Sequence, residues 1–87
     1  MFQLEFHPDW DKYFHDFAPD IQTRIWKKID QIEKGLKCRH LGHGIPFFVA
    51  EIGQNRVVFS EYKQNNVRKI FFAGKHKDYE RWLRGFK

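Results

Sequence analysis

The first residues of the chain alternate between apolar and polar side chains. Positions 2, 4 and 6 are apolar and positions 3, 5 and 7 are polar, which is a period of two. This period predicts a β-strand with one buried face. Pro8 ends the strand, because a proline cannot donate to a neighbouring strand.

Apolar residues then recur at spacings of three and four, which is typical of amphipathic helices. Asp9 stands at the N-cap position of a first helix. The apolar stripe of this helix consists of Trp10, Tyr13, Phe14 and Phe17. Pro19 suits the first turn of a second helix, where a proline costs no hydrogen bond, and Gly35 can close that helix in a left-handed conformation. The stripe of the second helix consists of Ile21, Ile25, Ile29 and Ile32.

A basic loop over residues 36–46 precedes three strand-like runs. The runs cover residues 47–52, 56–62 and 67–73, with turns at 53–55 and 63–66. Residues 78–85 return to helical spacing, with a stripe of Tyr79, Trp82, Leu83 and Phe86. The order β-α-α-β-β-β-(α) predicts a single α+β domain over residues 1–87, with an antiparallel sheet and a helical hairpin packed on one face.

Composition and charge narrow the choice of partner and compartment. Sixteen Lys and Arg against 11 Asp and Glu give a net charge of +5, which favours nucleic acid or an acidic protein segment as a partner. The 87-residue chain compensates for a small core with ten Phe, three Trp and three Tyr, and leaves room only for an open, shallow site. Cys38 is the single cysteine, and the sequence has neither a signal peptide nor an apolar run of about 20 residues, so we expect a cytoplasmic protein away from membranes.

The turn at residues 53–55 sets the faces of the predicted hairpin. A two-residue loop places Glu51 and Arg56 on the same face and leaves an apolar opposite face for the core. Glu51 and Arg56 then form either a candidate reactive pair or an ordinary cross-strand ion pair, which contributes little to stability.

The segment 74–79 (GKHKDY) follows the last predicted strand. His76 is a candidate general acid or base near neutral pH, and Lys75 and Lys77 suit a phosphate. Tyr79 offers a ring on which a base can stack, although it also begins the apolar stripe of the last helix and so suits the core. The lysines are equally compatible with a solvated turn.

Residues 38–43 (CRHLGH) combine a thiol with two imidazoles. A structural zinc site needs four ligands, so one cysteine and two histidines favour an RNA-contacting basic loop over a metal site. The sequence contains no nucleophile elbow, Walker loop or dinucleotide fingerprint, and we expect neither a metal nor a small-molecule cofactor.

Two segments resemble the RelE/ParE toxin superfamily. Residues 53–59 (GQNRVVF) resemble its hairpin of glycine, spacer, arginine, two aliphatic residues and an aromatic. Residues 72–79 (FAGKHKDY) resemble its C-terminal segment of glycine, basic residue, histidine or arginine, and tyrosine. The order of the predicted elements resembles the family over nearly the whole chain.

The resemblance implies a RelE-like fold and the toxin of a type II toxin–antitoxin system. Such a toxin is a ribosome-dependent endoribonuclease that cuts the messenger RNA codon in the A site. It uses no metal. The 2′-hydroxyl attacks the adjacent phosphate, and the 5′-oxygen leaves. The implied partners are a cognate antitoxin, the ribosome and messenger RNA.

The resemblance also implies roles for single residues. Arg56 would stabilise charge in the transition state, His76 would be the general acid, and Glu51 the general base. Tyr79 would stack on or orient the substrate base. Lys75 would hold a phosphate. Together with the other basic candidates, the predicted RNA-binding residues are Lys75, Lys77, Arg39, Lys37 and Arg81.

Three other functions are compatible with the same residues. A ParE-type protein would inhibit DNA gyrase without a nuclease site, and a substitution of His76 would then leave its toxicity intact. A non-enzymatic RNA-binding module would bind RNA and cut nothing. An inactive relic would retain only the binding of an antitoxin.

Overall fold

A computed structural model describes residues 1–41 and 46–86 of the chain. Its elements, in chain order, are β1 (Gln3–Phe6), α1 (Trp10–His15), α2 (Pro19–Glu33), β2 (Arg39–His40), β3 (Phe48–Ile52), β4 (Asn55–Tyr62), a 3-10 turn (Lys63–Asn65), β5 (Val67–Lys75) and α3 (His76–Phe86). The five strands form one sheet in the order β1-β5-β4-β3-β2. The predicted α+β class is confirmed.

The sheet is mixed, because β1 lies parallel to β5 at one edge. The predicted antiparallel pairing holds for β2 to β5. Parallel neighbours need a long connection, and here the chain leaves β1 through both helices and crosses the sheet to β2 at the opposite edge. The first strand of the sequence, β1, therefore pairs with the last one, β5.

Several element boundaries differ from the predicted ones. The short strand β2 lies within the predicted basic loop, of which residues 42–45 are outside the described part of the chain. The helix α1 ends at His15 and leaves Phe17 beyond it, while α3 begins at His76, two residues before the predicted start at Asp78. Asp9 occupies the N-cap position of α1 without a side-chain capping bond, and its N–H donates instead to Nδ1 of His7 at 3.1 Å.

One face of the sheet, here called the helix side, packs against α1 and α2. Buried residues from α2 meet buried residues from the hairpin of β3 and β4 and from β5, as the predicted parity requires. Gly35 closes α2 with a left-handed φ of +97°, as predicted. The main members of this core are Ile25, Ile29, Ile32, Ala50, Ile52, Val57, Phe59 and Ile70.

The opposite face, here called the α3 side, carries a second apolar cluster. The face that carries Glu51 and Arg56 is therefore largely covered, since α3 folds back over the sheet and buries Tyr79 against it. A β-bulge lets β5 serve both sides: Val58 pairs with Phe72 and Phe59 pairs with Ile70, which leaves one residue of β5 without a partner. The buried members of the second cluster are Phe47, Val49, Val58, Phe72 and Tyr79.

A buried arginine joins the sheet to the end of α2. Arg68 on β5 is 5% exposed. Its Nε and Nη2 donate to Oε1 of Glu61 on β4 at 2.9 and 2.7 Å, and its Nη1 donates to the carbonyl oxygens of Ile32 and Leu36 at 2.9 and 3.0 Å. The pair contributes stability only while both members are present, because a lone buried charge is costly.

We predict that Arg68→Met lowers the free energy of unfolding by about 3–5 kcal/mol, because it leaves the Glu61 carboxylate buried without a partner. Urea denaturation followed by tryptophan fluorescence measures the change. Lys34→Met is the matched control, because it breaks the exposed Asp30–Lys34 pair and should leave the unfolding midpoint unchanged. Equal midpoints for Arg68→Met and the wild type would contradict a structural role for the buried network.

Candidate active site

The hairpin of β3 and β4 has a two-residue loop, Gly53-Gln54, because Asn55 belongs to β4 and not to the turn predicted over residues 53–55. Ile52 pairs with Asn55 across the loop, and Glu51 pairs with Arg56 one step below. Gly53 has a φ of +58° at the first loop position, where a tight hairpin turn requires a residue that tolerates positive φ. Glu51 and Arg56 therefore project together from the α3 side.

Glu51 lies between two guanidinium groups. Its Oε1 is 4.0 Å from Nη2 of Arg56 and 4.0 Å from Nη2 of Arg39 on β2. The Glu51 side chain is 59% exposed and that of Arg56 only 21%. The carboxylate is thus open to solvent, while the arginine beside it is held by the fold.

Arg56 is held from below by an aromatic ring. Its Cζ lies 4.9 Å from the centre of the Tyr79 ring, within the range of a cation–π contact. Its backbone neighbour on β5 is Gly74. The Phe72 ring covers this glycine so closely that an added Cβ would lie 2.6 Å from the ring, so only glycine fits at the end of β5.

The chain passes directly from β5 into α3 beside the hairpin. The helix begins at His76, which places this imidazole and Lys77 in the first turn. Nε2 of His76 contacts the carboxylate of Glu80, one helical turn further on. Both side chains are about half exposed, so the imidazole is oriented without being buried.

These elements enclose an open cleft of about 330 Å³, here called the hairpin cleft. Five of the predicted site residues line it together with the loop residues Gly53 and Gln54: Glu51, Arg56, Lys75, His76 and Lys77. A carboxylate and an imidazole beside three cations can move protons and hold an anion at the same place. This combination of groups suits a phosphodiester.

Tyr79 lies within the second cluster and is 4% exposed. The predicted stacking of a substrate base on its ring does not fit this burial, because a base needs a free ring face. The competing interpretation, a core residue at the start of the α3 stripe, agrees with the structure. Tyr79 supports Arg56 from within the protein.

The remaining predicted RNA-binding residues lie outside the hairpin cleft. Lys37 and Arg39 line a neighbouring cleft of about 340 Å³ that shares Glu51 with it. Arg81 is on a different face of α3, where its Nη1 is 3.9 Å from Oδ1 of Asp78 and it lines a groove beside α1. Arg81 therefore does not line the hairpin cleft, whereas Arg39 lies next to it through its contact with Glu51.

The candidate metal ligands of residues 38–43 do not form a site in the described part of the chain. Among residues 1–41 and 46–86, no three His, Cys, Asp or Glu side chains come together as metal ligands would. His43 lies outside the described residues. Burial raises the pKa of the half-buried Cys38 thiol, which disfavours the reactive thiolate.

None of the helices within residues 1–41 and 46–86 is long and apolar enough to span a bilayer.

The sequence interpretation missed Glu80, the partner of His76. An acid four residues after a histidine is a signal for such a pair, but only within a helix. Because the predicted last helix starts at Asp78, the spacing from His76 to Glu80 did not predict a contact between them. The helix starts at His76, and the two side chains therefore meet.

The fold is similar to solved toxin structures from bacteria and an archaeon. The isolated RelE toxin of E. coli matches with a TM-score of 0.74 and 13% identity over the whole of both chains. The chain has the fold of the RelE toxins. The archaeal RelE-RelB complex from Pyrococcus horikoshii matches with a TM-score of 0.70 and 20% identity, over 85% of this chain and 93% of that chain. A metal-bound toxin from Helicobacter pylori matches with a TM-score of 0.72 and 18% identity, over 90% of this chain and 98% of that chain.

The predicted RelE-like fold is thereby confirmed. Neither a protein-family model nor a curated protein sequence matches the chain. At identities of 13–20% the likeness concerns the backbone, and the roles of single side chains depend on the geometry of the hairpin cleft.

We predict that Tyr79→Ala lowers the free energy of unfolding by about 3–5 kcal/mol, because it empties a buried ring position and removes the support of Arg56. Tyr79→Phe keeps the ring and should cost less than about 1 kcal/mol. Urea denaturation of both variants measures the difference. If Tyr79→Ala were as stable as the wild type, the ring would be dispensable to the core and free for a substrate.

Proposed function

We propose that the protein is the toxin of a type II toxin–antitoxin system and that it cuts messenger RNA in the ribosomal A site. The observation that supports this proposal is the convergence of Glu51, Arg56, Lys75 and His76 in one open cleft on a RelE fold. An open cleft of about 330 Å³ admits a strand of RNA from the side, which a closed pocket would exclude. Its excess of cations suits a polyanion.

The proposed reaction is an internal transfer of the phosphodiester. Glu51 takes the proton of the 2′-hydroxyl, and the 2′-oxygen attacks the adjacent phosphorus. The bond from phosphorus to the 5′-oxygen breaks, and His76 donates a proton to the leaving 5′-oxygen. The products are a 2′,3′-cyclic phosphate and a 5′-hydroxyl, and each proton-transfer group contributes roughly 10²–10⁴-fold to the rate.

Fixed positive charge stabilises the phosphorane of this reaction. Arg56 is held against the Tyr79 ring and is only 21% exposed, so its guanidinium needs little reorganisation when negative charge develops. Lys75 and Lys77 add charge from the other wall of the cleft. Glu80 orients His76 through its contact with Nε2.

The partners follow from the fold and the charge. The solved structures with this fold include the RelBE toxin-antitoxin complex of E. coli and the RelE-RelB complex of Pyrococcus horikoshii. We propose an antitoxin that covers the basic cleft of this chain, for which a net charge of +5 suits an acidic segment. The same charge suits the ribosome and its message in the cytoplasm.

We predict that the wild-type protein cuts a translated message in step with its codons in a purified translation system, as mapped by primer extension. Glu51→Gln and His76→Gln should each slow cleavage by about 10²–10⁴-fold, because each removes one proton-transfer group. Glu5→Gln and His15→Gln are matched controls, since both are exposed groups of the same chemistry outside the hairpin cleft.

Two outcomes of expressing the protein in cells would count against the nuclease. Growth arrest in cells that keep an intact message, with Glu51→Gln as toxic as the wild type, would contradict the nuclease and make DNA gyrase the target to test by supercoiling. Normal growth with an intact message would leave binding alone as the activity.

A further inference from the structure

A second pocket lies on the helix side of the hairpin loop, opposite the hairpin cleft. It has a volume of about 530 Å³, within the range of about 300–1,000 Å³ that is usual for ligand sites. We call it the tip pocket. It shares Gly53, Gln54 and Lys75 with the hairpin cleft, so the two sites meet at the loop.

Two cations, Arg24 and Lys75, face the tip pocket. Arg24 reaches from α2 to the loop, where a Cβ on Gly53 would lie 3.4 Å from its Nη2. Lys75 enters from the end of β5. Neither side chain forms an ion pair or hydrogen bond with residues 1–41 or 46–86, so both charges are available to an anion.

The other walls of the tip pocket do not suit a simple anion. Phe17 and Ile21 are half-buried apolar residues, and the exposed carboxylate of Asp16 would repel a phosphate placed beside it. Asn55 lies at the back, 7% exposed, and its Oδ1 accepts no hydrogen bond from the described residues. An apolar wall, the carboxylate acceptor of Asp16 and two cations suit a molecule with a flat ring, N–H donors and a phosphate.

We propose that the tip pocket binds one nucleotide of the RNA substrate, next to the phosphate that is cleaved. Its phosphate lies between Arg24 and Lys75, its base packs on Phe17 and Ile21, and an N–H of the base donates to Asp16. The RNA then passes around the hairpin loop from one side of the sheet to the other. The position of this nucleotide relative to the cut depends on the proposed function, whereas the binding of the nucleotide itself does not.

The test is a titration of the ¹⁵N-labelled full chain with guanosine 5′-monophosphate, followed by NMR. The amides of Gly53 and Gln54 and the Nε–H of Arg24 should shift, and Arg24→Ala should weaken binding by about tenfold because it removes a charge-assisted contact. Lys27→Ala removes the same charge from an exposed position of α2 outside the pocket and should bind like the wild type.

The variant Asp16→Ala distinguishes recognition of the base from recognition of the phosphate. It should weaken the binding of the nucleotide, because an acceptor for the base is lost, and strengthen the binding of inorganic phosphate, because a repulsive charge is lost. Equal affinity of the wild type for the nucleotide and for inorganic phosphate would overturn the nucleotide assignment. The absence of shifts at Gly53 and Arg24 would overturn the pocket itself.

The two proposals fail separately. Binding that requires Arg24 but not Lys27, in a protein that cuts no message, would support the tip pocket and contradict the nuclease. Codon-phased cleavage without nucleotide shifts in the tip pocket would support the nuclease and overturn the pocket.

Discussion

The buried guanidinium of Arg68 holds the helical layer to the sheet. It binds the carboxylate of Glu61 on β4 and the carbonyls of Ile32 and Leu36 at the end of α2, and its Cζ lies 4.3 Å from the Phe2 ring. A charge at this depth is tolerated when it is paired and hydrogen-bonded. The network therefore attaches the end of α2 to the sheet, just before the chain continues to β2, which borders the hairpin of the candidate site.

The candidate site lies at the hairpin loop because the rest of the sheet is covered. Helices α1 and α2 bury one face, and α3 buries much of the other. At the loop, β3 ends, β4 begins and β5 passes into α3, so polar side chains from four elements line one cleft at the end of the rigid sheet. Sites supported by strands and a packed ring keep their geometry better than sites on free loops.

Local patterns in the sequence predicted most of the elements and the pairing of Glu51 with Arg56 in the site. The period of two and the Gly53-Gln54 loop predict that Glu51 faces Arg56, and this pairing is present. Contacts between distant segments could not be predicted in this way. The parallel pairing of β1, the bulge in β5 and the Arg68–Glu61 pair depend on which surfaces meet in three dimensions.

The role of Tyr79 in the site also depends on contacts between distant segments, which local patterns do not predict. Its position on a helical stripe and its position in a family-like motif gave two interpretations, and only packing could separate them. Because α3 folds back over the α3 side of the sheet, the ring is buried and Arg56 lies on it. Tyr79 is thus a core residue, as the stripe indicates, and it also supports Arg56 of the candidate site.

Two of the arginine–glutamate pairs of the sheet, Arg68–Glu61 and Arg56–Glu51, have opposite properties. Arg68 and Glu61 are both buried and 2.7 Å apart, and separating them would leave a charge in the core. Arg56 and Glu51 are 4.0 Å apart with the carboxylate 59% exposed, and such a pair contributes only about 0–1 kcal/mol. A phosphate that enters the hairpin cleft can therefore take Arg56 from Glu51 at little cost, while the Tyr79 ring keeps the guanidinium in place. In the proposed reaction, Glu51 would then accept a proton while Arg56 binds the anion and the exposed Arg39 stays beside the carboxylate.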